Sequence, residues 1–148
     1  MAAERPRALE VATRALAKRD FSARGLRERL AKTGVGPEEA DRAVAELEHA
    51  GLVDDHRFAR HRAEALAESG KGDAAIRFDL ELQGVGAELA AEALAGLEPE
   101  RDRAERIVAN RGPSPKTARL LAGRGFDAES VELALQATVA QDRRTALG

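Results

Sequence analysis

The chain has 148 residues, and its 24 basic and 26 acidic side chains leave a formal net charge of −2, so overall charge does not draw it to nucleic acid. It contains no cysteine, which excludes a disulfide framework or thiolate metal site and suits a reducing compartment; no apolar run nears the roughly 18 residues of a membrane span. Four Phe, with no Trp or Tyr, leave a core of Leu, Ala and Val, and the 34% of charged residues exceeds the usual share of about 25%, as in thin helical assemblies that face water on most sides.

The opening residues, Met1 to Arg7, lead into a charged helix rather than a signal-peptide apolar core, so the protein is expected in the cytoplasm. Apolar residues then recur with helical spacing, and no stretch alternates as a strand would. Leu9, Ala12, Leu16 and Ala17 line a helix over 6–18. Ser22 is placed to cap a second over 22–33, lined by Leu26, Leu30 and Ala31, which Gly34 ends with positive φ. Pro37, with Glu38 and Glu39 against the positive helix end, starts a third over 37–50, lined by Ala40, Ala43, Val44 and Leu47. Asp54-Asp55 opens a helix over 55–69, followed by helices over 72–83 and 87–97. Pro99, Ser114-Pro115 and Asp127 open the last three, over 100–111, 115–123 and 127–140. Beyond 141 no apolar face persists, and residues 142–148 are expected to fray.

One pattern occurs three times. Leu30, Leu80 and Leu121 each stand four residues before a glycine (Gly34, Gly84 and Gly125), and Val35, Val85 and Phe126 directly follow it. Six residues past the glycine come Ala40, Ala90 and Val131; nine past, Ala43, Ala93 and Ala134; ten past, Val44, Leu94 and Leu135. Glycine permits the backbone turn, the flanking apolar pair packs across it, and the next helix returns its stripe onto the same small core. The fold expected is all-α: three tandem three-helix repeats, over 1–50, 51–98 and 99–141, stacked into an elongated, curved array. Such a shape suits lying along a partner and does not enclose a small substrate.

Few residues suggest chemistry. Asp54 and Asp55 read as helix caps, since a catalytic pair would need a third polar group nearby. His56 and His61 stand five apart, not the three or four that align side chains on a helix, which argues against a metal with His49. Phe58 and Phe126, and with them Phe21 and Phe78, read as core. No phosphate-binding glycine loop or nucleophilic triad is present, so neither enzyme nor cofactor is expected.

Gly51-Leu52-Val53-Asp54-Asp55-His56-Arg57-Phe58-Ala59, continued by Gly72, Ile76-Arg77, Leu80 and Gly84-Val85, resembles the RecX family of bacterial recombinase regulators. Ala8-Leu9, Leu16-Ala17-Lys18-Arg19 and Ser22 fit its first unit, and Leu120-Leu121-Ala122-Gly123-Arg124-Gly125-Phe126 its last. The resemblance covers about residues 7–137. It implies a protein that binds the RecA recombinase filament on single-stranded DNA and usually inhibits its growth, ATP hydrolysis, strand exchange and co-protease action. It implies no small-molecule substrate and no membrane, and the chain is expected to act as a monomer.

The basic residues are the candidates for meeting the filament or its DNA. They are Arg24, Arg27 and Lys32 before the first repeat glycine; Arg77 at the matching place in the second unit; Lys116, Arg119 and Arg124 in the third; and the run Arg101, Arg103, Arg106 and Arg111. Local ion pairs, Glu100 with Arg103 and Asp102 with Arg106, would instead make that run a solvated face. Two other functions fit a three-helix repeat: a DNA-binding helix-turn-helix protein, or a scaffold for another protein. Against DNA reading, the third helices, such as Pro37 to His49, are acidic and Ala-rich rather than rich in Arg, Asn and Gln.

Overall fold

The computed structural model describes residues 4–148, with side chains from Arg7 onward; of the opening stretch read as a charged helix, Met1 to Ala3 lie outside the described residues. Nine helices and no strand are found among the described residues: α1 Glu4–Lys18, α2 Ala23–Lys32, α3 Pro37–His49, α4 Asp55–Glu68, α5 Asp73–Leu82, α6 Ala87–Ala95, α7 Glu100–Arg111, α8 Pro115–Gly123 and α9 Ala128–Leu147. The expected caps are made. Ser22 accepts from the Gly25 N–H, Asp54 from Arg57, Ser114 from Thr117 and Asp127 from Ser130. One boundary differs: α9 runs to Leu147 instead of ending near 140. Its last residues are exposed, but they extend a helix already formed, and propagation needs no packed face.

The helices group in threes around three separate cores. The first gathers Leu26, Leu30, Val44 and Leu47 with the small residues Ala8 and Ala12 of α1. The second holds Phe58, Ile76, Leu80 and Val85, and the third Val108, Leu121, Phe126 and Val131. Every extensive contact between helices lies within one group of three. An accessible surface of 9153 Å² is well above the roughly 7,300 Å² of a compact monomer of 15.8 kDa. The excess is that of an elongated array of three units.

The repeat glycines do the work their spacing implies. Gly34, Gly84 and Gly125 have φ of 87°, 87° and 92°, in the left-handed region where a side chain is strained. The residue after each donates its N–H to the carbonyl of the Leu before it: Val35 to Leu30 at 3.1 Å, Val85 to Leu80 at 2.9 Å, Phe126 to Leu121 at 3.1 Å. This is a helix C-terminal motif that satisfies orphan carbonyls while pressing an apolar pair together. Leu30, Leu80 and Leu121 are fully buried as a result.

The units join end to end through their second helices. The start of α2 meets the α5–α6 turn, where the Ser22 hydroxyl donates to the Gln83 carbonyl, and the start of α4, where the Ala23 N–H donates to Asp55 Oδ1 at 2.8 Å. The start of α5 meets the α8–α9 turn, with the Gly72 N–H on the Arg124 carbonyl at 2.8 Å and the Ala74 N–H on the Gly125 carbonyl at 3.2 Å. Unpaired N–H groups that open one helix thus find acceptors in the neighbouring unit. Asp55 therefore does more than open its own helix.

Candidate functional site

The basic residues are the candidates on the outward surface of the array. Their placement divides them. Arg103 is buried, 6% exposed; its guanidinium donates to Asp73 Oδ1 at 2.9 Å and to the carbonyls of Glu98 and Lys71, each at 3.1 Å. It stands one residue before buried Ala104, as Phe58 stands before Ala59 in the second unit. Arg103 thus joins the third unit to the second, with its guanidinium already engaged. The expected ion pairs along this run are also replaced: Arg103 pairs with Asp73 rather than Glu100, and Arg106 with Glu98 rather than Asp102.

Others are satisfied at the surface. Arg24 pairs with Glu28 and Arg101 with Glu105, at 3.1 and 3.2 Å. Arg27 reaches Asp41 at 3.1 Å and Glu48 at 4.0 Å. Arg124 is half-buried beside Gly70. Lys32, Arg77, Arg111, Lys116 and Arg119 are exposed. None of these five makes an ion pair among the described residues.

Arg77 of α5 adjoins a feature that departs from the expectation of core. Phe78 is not core but 64% exposed, and Leu82, one turn on, is 60% exposed. They form an apolar pair on the outer face of α5, the middle helix of the end-to-end row. Phe78 stands six residues before Gly84, as Glu28 stands before Gly34 and Arg119 before Gly125; all three positions face solvent. That register was the signal: the repeat marks the position as outward whatever residue fills it. Phe21, by contrast, is 4% exposed as expected, and the Arg19 guanidinium lies 3.9 Å from its ring centroid.

A second group was missed altogether. Arg14 and Lys18 of α1 and Arg29 of α2 line one groove on the first unit, with Val11, Ala15 and Thr33. Arg14 and Lys18 are one turn apart and legible as neighbours, but Arg29 joins them only through the packing of α2 on α1.

The acidic candidates are structural. The Arg57 N–H holds the Asp54 carboxyl below its ordinary pKa, and that of Ser130 does the same for Asp127. Such carboxylates stay ionised as caps and are poor proton donors. His56 faces Glu92 across α4 and α6 at 3.4 Å on the exposed surface. Among the described residues no three His, Asp or Glu gather as a metal site, and no helix is long and apolar enough to cross a membrane.

The profile of the RecX second three-helix domain matches residues 54–94, which span α4, α5 and most of α6. The chain is 38% identical over 133 residues to the regulatory protein RecX of Chromohalobacter salexigens, covering 84% of this chain and 88% of that one. It is 35% identical over 129 residues to the regulatory protein RecX of Stenotrophomonas maltophilia, covering 80% and 79%. The crystal structure of RecX from Lactobacillus salivarius superposes with a TM-score of 0.82 at 15% identity, over 95% of this chain and 99% of that one. A second RecX crystal structure gives 0.77 at 19% identity, over 90% and 73%.

Proposed function

The chain belongs to the RecX family of regulatory proteins, and from this premise we propose that it binds the RecA recombinase filament on single-stranded DNA and restrains it. Its effect is to lower filament growth, ATP hydrolysis, strand exchange and co-protease action. It acts in the cytoplasm, as a monomer, with no cofactor and no small-molecule substrate.

The observation that carries this reading is the likeness to a regulatory relative over 84% of the chain. The geometry supports it. An elongated array reaches more than one subunit of a filament, and two modest contacts on one rigid body gain effective concentration. Phe78 and Leu82 supply an exposed apolar anchor of the kind that dominates protein contacts. Arg77 stands beside it on α5, and Arg111, Lys116 and Arg119 of the third unit, free of carboxylates among the described residues, add exposed charge along the array. The well-paired Arg24, Arg27, Arg101 and Arg106 contribute less, because binding through them first breaks an existing pair.

The test is single-stranded-DNA-dependent ATP hydrolysis by the cognate recombinase, titrated with this protein at two salt concentrations beside a binding assay on bare DNA. A fall in rate below stoichiometric protein, without matching capture of bare DNA, is the expected result. An unchanged rate, or loss only where the DNA itself is sequestered, removes the proposal.

A further inference from the structure

The groove of Arg14, Lys18 and Arg29 sets the first unit apart. None of the three makes an ion pair among the described residues, although Glu10 stands one turn before Arg14 on α1. Other exposed cations, Arg77, Arg111 and Arg119 among them, also lack an ion pair among the described residues, but these three line one groove, whereas Arg42 pairs with Glu39 and Arg62 with Asp79. Lys18 and Arg29 lie in the last turns of α1 and α2, where unpaired carbonyls favour positive charge. That accommodates them without a counter-ion and leaves their outward donors free.

The repeat supplies an internal control. Buried Ala8 and Ala12 of α1 match buried Ala59 and Ala63 of α4, and Gly34 matches Gly84. In that register Arg14 corresponds to Ala65, Lys18 to Ser69 and Arg29 to Asp79. Val11 corresponds to Arg62, whose Nη2 donates to Asp79 Oδ2 at 3.0 Å, so the second unit closes its groove with an internal pair. In the third unit the matches of Arg14 and Arg29 are Asn110 and Leu120. The three-helix fold therefore does not need these cations.

We propose that this groove binds the phosphodiester backbone of single-stranded DNA. Cations on both walls, two from α1 and one from α2, are satisfied together by a polyanion lying between them. A flexible single strand can enter between two helices; a duplex presents its backbone on a stiff, wide cylinder and cannot. Arginine forks and a lysine point charge suit phosphate oxygens. The lining holds Val11, Ala15 and Thr33 but no aromatic platform, so the strand is held by its backbone, without reading bases.

The experiment is fluorescence anisotropy of labelled oligothymidylate with the full chain, from about 50 to about 200 mM salt, in the absence of recombinase. Its outcome is thus independent of the function proposed above. Arg14→Ala/Lys18→Ala/Arg29→Ala should make the slope of log affinity against log salt shallower by about 2, from about 0.7 for each of three phosphates. An equal charge change elsewhere, Arg60→Ala/Arg143→Ala/Arg144→Ala at exposed positions, should leave the slope unchanged. Arg29→Asp, which installs the residue of the second unit at one exposed position, should weaken binding on its own and guards against a folding defect in the triple variant. The proposal is overturned if the wild type shows no salt-sensitive binding, if the two triple variants lose equally, or if duplex competes as well as single strand. It is also overturned if the groove variant keeps its affinity for the strand while losing restraint of the recombinase, since the groove would then meet protein.

Discussion

Glu100, the first residue of α7, accepts the N–H of Asp73, the first residue of α5, at 2.6 Å. Its other oxygen accepts the Asp127 N–H at 3.0 Å, so one carboxylate caps two helices in two units. Asp55, the first residue of α4, does the simpler version of this for Ala23 at 2.8 Å. Glu100 is 8% exposed, and removing it strands two N–H groups and takes a carboxylate from beside Arg103. Glu100→Ala is expected to cost about 2–6 kcal/mol, from about 1–3 for each of the two groups left unpaired. Asp55→Ala, with one such group and a more open setting, is expected to cost about 1 kcal/mol. Urea midpoints of the two variants check the order; equal losses would mean that Glu100 does not act at two helices.

The junction between the second and third units also rests on backbone fit. A Cβ on Gly72 would lie 2.3 Å from the Phe126 nitrogen and 2.4 Å from the Gly125 carbonyl carbon. Neither atom is the yielding end of a side chain. Gly72→Ala should therefore destabilise the protein by about 1–3 kcal/mol or more. Gly123, the last residue of α8 with nothing within 4 Å of a built Cβ, gives the contrast: Gly123→Ala should stabilise by up to about 0.5 kcal/mol, from helix propensity alone. Thermal melts of the pair decide the matter by the sign of the shift.

The contrast between local and distant partners explains what was legible in the sequence. The Leu-to-glycine spacing and the Ser22, Asp54, Ser114 and Asp127 caps each report a hydrogen bond made within a few residues, so the turns and the three cores could be read from it. The roles of Asp55 and Glu100 depend on N–H groups 32 and 27 positions away, which no local pattern encodes. Arg103 looked like part of a solvated run, and Phe78 was assigned to the core because residue type was weighed above register. For Phe78 the matching positions, Glu28 and Arg119, are exposed as it is; for Arg103 they differ, Phe58 being buried and Arg7 exposed, so its burial depends on its partners in the second unit. The groove cations were missed because two lie on one helix and the third on another.

Acid should act through the caps. Asp54 and Asp127 have folded-state pKa values below the ordinary 3.8, so their ionised forms are favoured in the folded chain. Their contribution is complete above that value and is lost as pH falls through the lowered one. Asp54→Asn/Asp127→Asn keeps a side-chain oxygen at each cap but removes the titration. Its stability near neutrality should stay close to wild type, and its decline below about pH 4 should be shallower. Urea midpoints across pH 2 to 7 would test this, and parallel curves for the two proteins would show that these caps do not set the acid limb.

Phe78 and Leu82 separate binding from stability. Both sit outside the second core, exposed at 64% and 60%, and surface positions of this kind change stability by no more than about 0.5 kcal/mol. Phe78→Ala/Leu82→Ala should therefore melt with the wild type. In the recombinase assay, truncating an aromatic anchor at a protein contact is expected to cost about 2 kcal/mol or more, which is a thirtyfold or greater rise in the concentration needed for half-maximal restraint. The matched change on the paired surface, Arg101→Ala/Glu105→Ala, removes an ion pair from α7 at 3.2 Å and should leave that concentration within about twofold. If the α7 variant loses restraint while the apolar variant keeps it, the contact lies along α7, and the exposed pair on α5 has no part in it.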